Sequence, residues 1–163
     1  MMTSDSNHPS TDDRPVNPPE GYTVYNSSGP FTIANGPFYE RIDGEWVWRG
    51  FRAQKRHCNS FGIVHGGMMM AFADGLLAHA AWHGARITPL TIRMTSDFVS
   101  SVRPGDWVEG KARVTRATRS VVFVSGEVLV GSRVVMNLAA LFAARARKPK
   151  AEAKVEEVAP VAG

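Results

Sequence analysis

Cysteine is nearly absent from this chain of 163 residues, with Cys58 its one thiol. A single thiol cannot close an intramolecular disulfide, and it excludes a four-cysteine zinc site or an iron–sulfur cluster. It suits a reducing, cytoplasmic setting. A charge-free apolar run of about 18 residues is also missing, so no membrane span is predicted. The first residues, MMTSDSNHPSTDDRP, have neither the basic region nor the apolar region of a secretory signal, and their three Asp argue against a transit peptide. There is no internal repeat and no heptad array.

What remains has ordinary globular composition, 44% hydrophobic and 21% charged, and a length that suits one domain. Residues 1–20 are rich in Pro and acidic groups and read as a flexible leader. Residues 146–163 are mostly Ala, Lys, Glu, Val and Pro and read as a disordered tail. The domain is therefore placed at 21–145. Residues 21–144 hold 13 basic and 8 acidic groups, so the net charge of +4 does not come from the tail alone. A basic domain suits an anionic partner. No compact Lys/Arg patch with interleaved aromatics stands out, which favours a nucleotide-bearing small molecule over nucleic acid.

The pattern predicts two strands around Asp43-Gly44, a hairpin turn signal flanked by aromatic and branched residues. From Gly66 to about His83 the apolar side chains point all round a helical wheel, which predicts a helix buried on every side, with Gly84 placed to end it. Four strand-like segments follow, near 90–98, 108–115, 121–130 and 134–142. In the first, Leu90, Ile92, Met94 and Phe98 alternate with Thr91, Arg93, Thr95 and Asp97. The short links between these segments, Arg103-Pro104-Gly105-Asp106 among them, predict antiparallel neighbours. A curved antiparallel sheet wrapping the helix would cover one side of it, and a second subunit the rest.

Chemistry concentrates where the helix begins. His65-Gly66-Gly67 puts two glycines at the helix N-terminus, where first-turn N–H groups lack intrahelical partners and the helix dipole is positive. Such donors form an oxyanion hole, and Asn59 adds an amide donor from the preceding loop. Asp74 is the helix's one carboxylate, set among apolar residues. It stands eight residues from Gly66, about 12 Å along the axis. An acid and an oxyanion hole acting on one carbonyl must both approach it closely. Two antiparallel helices in a symmetric dimer would bring Asp74 of one chain to Gly66 of the other. His65 is read as shaping the glycine turn. His79 and His83, at i and i+4, have the spacing of two metal ligands but no Glu or Cys companion. Arg103, Arg116 and Arg119 fall in predicted turns, where solvated charge is the ordinary reading.

The pattern Asn59-x5-His65-Gly66-Gly67-x6-Asp74, with one buried helix and four following strands, resembles the hotdog-fold acyl-CoA thioesterases, in particular the phenylacetate-pathway type, over roughly residues 36–144. The resemblance implies an α+β hotdog fold and hydrolysis of an acyl-CoA to acid and CoA, with no metal or redox cofactor. It implies that Asn59 and the Gly66 amide hold the thioester carbonyl, with His65 and Gly67 lining the substrate site. Asp74 from the partner chain would be nucleophile or general base. Thr91 would orient that acid or its water, although simple alternation puts Thr91 on the polar face of its strand. Self-association as a dimer or dimer of dimers goes with this, and neither nucleic acid nor membrane does. The Met68-Met69-Met70 run departs from the branched aliphatic residues common in that family, which leaves the acyl group open. A hydratase or dehydratase on the same fold, and a non-catalytic acyl-CoA-binding module, are the alternatives.

Overall fold

The structure, a computed structural model, describes residues 17–27 and 29–146. Most of the leader read over 1–20 and the tail from 147 onward lie outside the described residues. The elements in chain order are β1 (Thr23–Val24), α1 (Pro30–Asn35), β2 (Tyr39–Asp43), β3 (Trp46–Arg52), a 3-10 turn (Lys55–His57), α2 (Gly66–Ala85), β4 (Ile87–Phe98), β5 (Trp107–Ala117), β6 (Val121–Val130) and β7 (Arg133–Ala146). The seven strands form one open antiparallel sheet in the order β1-β2-β3-β5-β6-β7-β4. One long helix among the described residues lies against it, the α+β arrangement expected of a hotdog fold.

Short α1 has no counterpart in the sequence pattern. It opens with Pro30, whose fixed φ suits the first helical turn, and none of its residues is buried. The hairpin between β2 and β3 turns on Gly44-Glu45, one residue later than the Asp43-Gly44 signal, because Asp43 still pairs with Trp46. Gly44 takes the left-handed φ of 59° that the turn needs.

Two expectations are corrected. First, β4 and β5 are not neighbours. Residues 99–106 are not a tight turn but a crossover that carries the chain past two strand positions to the middle of the sheet, between β3 and β6. It is pinned by buried Val102, whose carbonyl accepts from Val64 N, and by Gly105 N donating to Ala53 O. β4 pairs instead with the last strand, β7, and forms the sheet's edge. Second, Gly84 does not end α2. The helix runs to Ala85, and Arg86 caps it in the left-handed conformation, with its N–H on Trp82 O. Gly84 is required for packing: a Cβ there would sit 2.7 Å from Val114 Cγ2.

The side of α2 facing the sheet carries Met68, Met69, Phe72, Ala73, Leu76, Leu77, Ala80 and Ala81, all buried. They meet Val47, Phe51, Val108, Val124, Val128, Met136 and Phe142 from the sheet. The opposite side, through Met70, Ala71, Asp74, Gly75, Ala78 and Trp82, is only half-buried. A helix read as apolar all round is thus covered on one side by its own chain.

The close approach of helix to sheet depends on Gly110 of β5. A Cβ there would fall 2.5 Å from Leu76 Cδ2 and 3.2 Å from the Glu127 carbonyl oxygen. Gly110→Ala should destabilise the protein by about 1–3 kcal/mol, the usual cost of overpacking a tight core. Urea unfolding should show the midpoint falling with no change in slope; an unchanged midpoint would mean that the contact yields freely.

Candidate active site

Asn59 sits in a tight loop between Cys58 and Val64, which pair across it as an isolated antiparallel bridge. Its N–H donates to Ile63 O, Gly62 N donates back to Asn59 O, and Phe61 N donates to Asn59 Oδ1 at 2.9 Å. Gly62 takes the loop's positive φ of 74°. The loop thus fixes Asn59 through its backbone and Oδ1. The stem leads directly into α2, with His65 N bonded to His57 O.

His65 is the N-cap of α2. Its Nδ1 accepts the Gly67 N–H at 2.8 Å, and its carbonyl accepts from both Met68 N and Met69 N. Of the four first-turn donors, only the Gly66 N–H is left without a partner among the described residues. It stands at the positive end of a 20-residue helix. Nothing in the chain demands glycine there: a Cβ on Gly66 would meet the Phe98 ring at an ordinary 3.6 Å. Plain helix–sheet packing therefore does not explain Gly66. The Gly67 N–H is spent on the cap, so of the two glycines one offers a free donor.

Asp74 lies two turns further along, half-buried on the open side of α2. Thr91 Oγ1 donates to its Oδ1 at 2.8 Å. Alternation had put Thr91 on the wrong face, and a β-bulge in β4 explains why. Thr91 pairs with Phe142 and Arg93 with Leu141, so Ile92 is the extra residue. Ahead of the bulge, odd-numbered residues face the helix, as Thr91 does. After it, even-numbered residues do: Ser96 Oγ bonds Met70 Sδ and Phe98 reaches Gly66. Leu90 and Ile92, read from alternation as core, are 50% and 57% exposed on the outer side of this edge strand.

One cluster went unread in the sequence. Glu40 and Arg49 are direct cross-strand partners on β2 and β3, facing α2 beside His79 and Tyr25. Arg49 is 5% exposed, with its guanidinium 4.0 Å from the centre of the Tyr25 ring. A signal existed: Arg49 shares strand parity with the buried Val47 and Phe51. Burial, reinforced by Arg49 and His83, pushes His79 down to about 4. Burial raises Glu40, opposed by Arg49. His83 instead contacts Gly44 O, so the two helix histidines do not converge. Among the described residues no group of three or more His, Cys, Asp or Glu is placed to hold a metal, and no helix is long and apolar enough to cross a membrane.

A family model described as Thioesterase superfamily matches residues 61–136, a span that includes Gly66, Asp74 and Thr91. A curated protein of Pseudomonas aeruginosa, "Putative esterase PA0474", is 32% identical over 130 residues, covering 78% of this chain and 97% of the relative. The chain belongs to the thioesterase superfamily. Among solved structures, the TT0310 protein of Thermus thermophilus superposes with a TM-score of 0.65 at 21% identity, over 72% of this chain and 98% of that one. The PaaI protein of the Escherichia coli phenylacetic acid degradation operon does so with a TM-score of 0.63 at 17% identity, over 72% and 85%.

His79 carries a testable pH dependence. Between pH 6.5 and about 4 the unfolded chain binds a proton at His79 that the folded chain refuses. Its contribution is therefore intact above 6.5 and lost as the pH falls towards 4. Glu40, raised in the folded state, acts in the opposite sense, so the comparison must isolate His79. The wild-type protein should lose stability relative to His79→Gln between pH 7 and 4.5 in urea unfolding. A difference that stays constant with pH would contradict the depressed imidazole.

Proposed function

We propose that the protein hydrolyses acyl-CoA thioesters at a site shared between two copies of the chain. The observation that carries this reading is the unpaired Gly66 N–H at the start of α2, on the helix that also presents the Thr91-bonded Asp74. In this reading the thioester carbonyl oxygen accepts from the Gly66 N–H and from the Asn59 side-chain amide. The negative charge that develops on it in the tetrahedral intermediate is stabilised by donors fixed in advance. Asp74 of the partner subunit takes a proton from water as the water oxygen bonds to the acyl carbon. Alternatively the carboxylate itself attacks, and water then cleaves the mixed anhydride. Either route breaks the C–S bond, releases CoA as the thiol after protonation, and needs no metal or redox cofactor.

The partner is needed on geometric grounds. Gly66 and Asp74 of one chain are about 12 Å apart along the helix. The half-buried side of α2, with small Ala71, Gly75 and Ala78 around Asp74, permits a second helix to approach closely. The β4 edge, with exposed Leu90 and Ile92, offers unpaired backbone and apolar surface for a second copy. A two-fold axis relating the two helices would create two composite sites.

Asp74→Asn should lower the single-turnover rate on acyl-CoA by about 10²-fold or more, the scale of general-base loss, with little effect on binding. Mixed dimers sharpen the test. Pairing Asp74→Asn chains with Asn59→Ala chains puts both defects in one composite site and leaves the other whole. Verified heterodimers should recover about half the normal activity. No recovery would reject the shared site, and full activity of Asp74→Asn would reject the role of the carboxylate.

A further inference from the structure

The loop that carries Asn59 contains a residue whose type packing does not explain. Gly62 takes a φ of 74°, in the left-handed region. A Cβ there would meet nothing within 4 Å, so lack of space does not require a glycine. Ser60, Phe61 and Gly62 are all exposed, Phe61 by 87%, so side-chain packing does not hold the tip. The requirement is the backbone conformation alone.

That conformation closes a turn around one side chain. Gly62 N donates to Asn59 O at 3.0 Å, and Asn59 N donates to Ile63 O at 2.9 Å. Between them the Phe61 N–H donates to Asn59 Oδ1 at 2.9 Å. The stem below is fixed by the Cys58–Val64 bridge and by Val64 N on the carbonyl of buried Val102. The side-chain acceptor that opens such a turn can be Asn, Asp, Ser or Thr. Of these, asparagine alone carries a second polar end: with Oδ1 taken by the Phe61 N–H, its NH2 group offers two donors on the other side of the amide. Among the described residues nothing accepts from them.

The amide is thereby held in one of its two orientations. An asparagine amide turns about its last side-chain bond, and each half-turn exchanges donor for acceptor. The wrong orientation would set an oxygen against a substrate carbonyl oxygen. Donors fixed beforehand stabilise developing charge without having to reorganise. Resting on the thioesterase reading for the position of the carbonyl, we infer that Gly62 is a positioning residue for the reaction. Its left-handed backbone sets the Phe61 N–H on Asn59 Oδ1 and so locks the amide with its NH2 group towards the substrate oxygen. Gly62 acts through Asn59 and not on the substrate.

The test varies residue 62, where open space separates backbone preference from volume. Gly62→Asn keeps the left-handed conformation at least cost, Gly62→Ala less well, and the β-branched Gly62→Val opposes it most. On the full-length protein, kcat for acyl-CoA should fall in that order. Gly62→Asn should stay within about twofold of wild type and Gly62→Val should lose on the order of tenfold or more, part of the roughly 10²–10³-fold that one such donor supplies. KM should change little, because the donor acts mainly in the transition state. Asn59→Asp keeps the acceptor but loses the donor, and should lose as much kcat as Asn59→Ala. In the Asn59→Ala background, Gly62→Val should change kcat by less than about twofold, since both residues serve one interaction. Nitrogen NMR relaxation of the Asn59 side-chain amide adds a readout apart from turnover: rigid in wild type and Gly62→Asn, mobile in Gly62→Val. Should Gly62→Val fail to fold, Gly62→Ala against Gly62→Asn carries the same comparison. Wild-type kcat in the disfavoured variants, or an equal loss in the Asn59→Ala background, would overturn the inference and leave the thioesterase reading standing. No thiol release from any acyl-CoA would overturn that reading instead. The relaxation would still decide the role of Gly62, and an Asn59 amide equally mobile in wild type and variant would overturn it.

Discussion

A 20-residue helix with no polar side has to be covered all round, and the rest of this structure follows from how that is achieved. The chain's own sheet covers one side. It does so at a distance set by missing side chains, since Gly110 leaves room for Leu76 and Gly84 leaves room for Val114. The other side remains half-buried, and Asp74, Gly75 and a cavity beside them lie there. The same constraint that shapes the core thus also decides which helix face its own chain leaves open.

The crossover through residues 99–106 gives this face its second wall. By carrying the chain past β7 and β6 to the middle of the sheet, it leaves β4 at the edge, paired with β7. An edge strand has freedom that a central strand lacks, and β4 uses it in the bulge at Ile92. One extra residue reverses the parity of the strand, so that Thr91 faces Asp74 while Ser96 and Phe98 still face the first turns of α2. Without the bulge, a strand placed to set Phe98 near Gly66 would turn Thr91 away from the helix.

The site itself divides into a part made from backbone and a part made from side chains. At the helix start, His65 takes the Gly67 N–H on its ring and two further N–H groups on its carbonyl, and so singles out the Gly66 donor. Further along, charge is placed at some cost. Arg49 is buried against Tyr25 and opposite Glu40, and a helical glycine gives it room. A protein under pressure for stability alone would do better with apolar residues here, since burying a charge costs more than an ion pair commonly returns.

Much of this was legible in the residues. The all-round apolar run from Met68 to Trp82 determined a buried helix, because only coverage on every side removes that much apolar surface from water. The alternating segments determined the strands, and the spacing of Asn59, His65-Gly66-Gly67 and Asp74 marked the segment read as the candidate site. Arg49 was legible too, as a charge on the core parity of β3. The pairing of β4 with β7, the bulge at Ile92, the continuation of the helix past Gly84 and the choice of Gly66 over Gly67 as free donor were decided only by the tertiary structure. Each depends on contacts between residues far apart in the chain, or on which of several local hydrogen bonds wins. Periodicity reports the phase of a strand but not an extra residue within it. A glycine is written the same way whether it ends a helix, makes room for a valine or leaves space for a buried arginine.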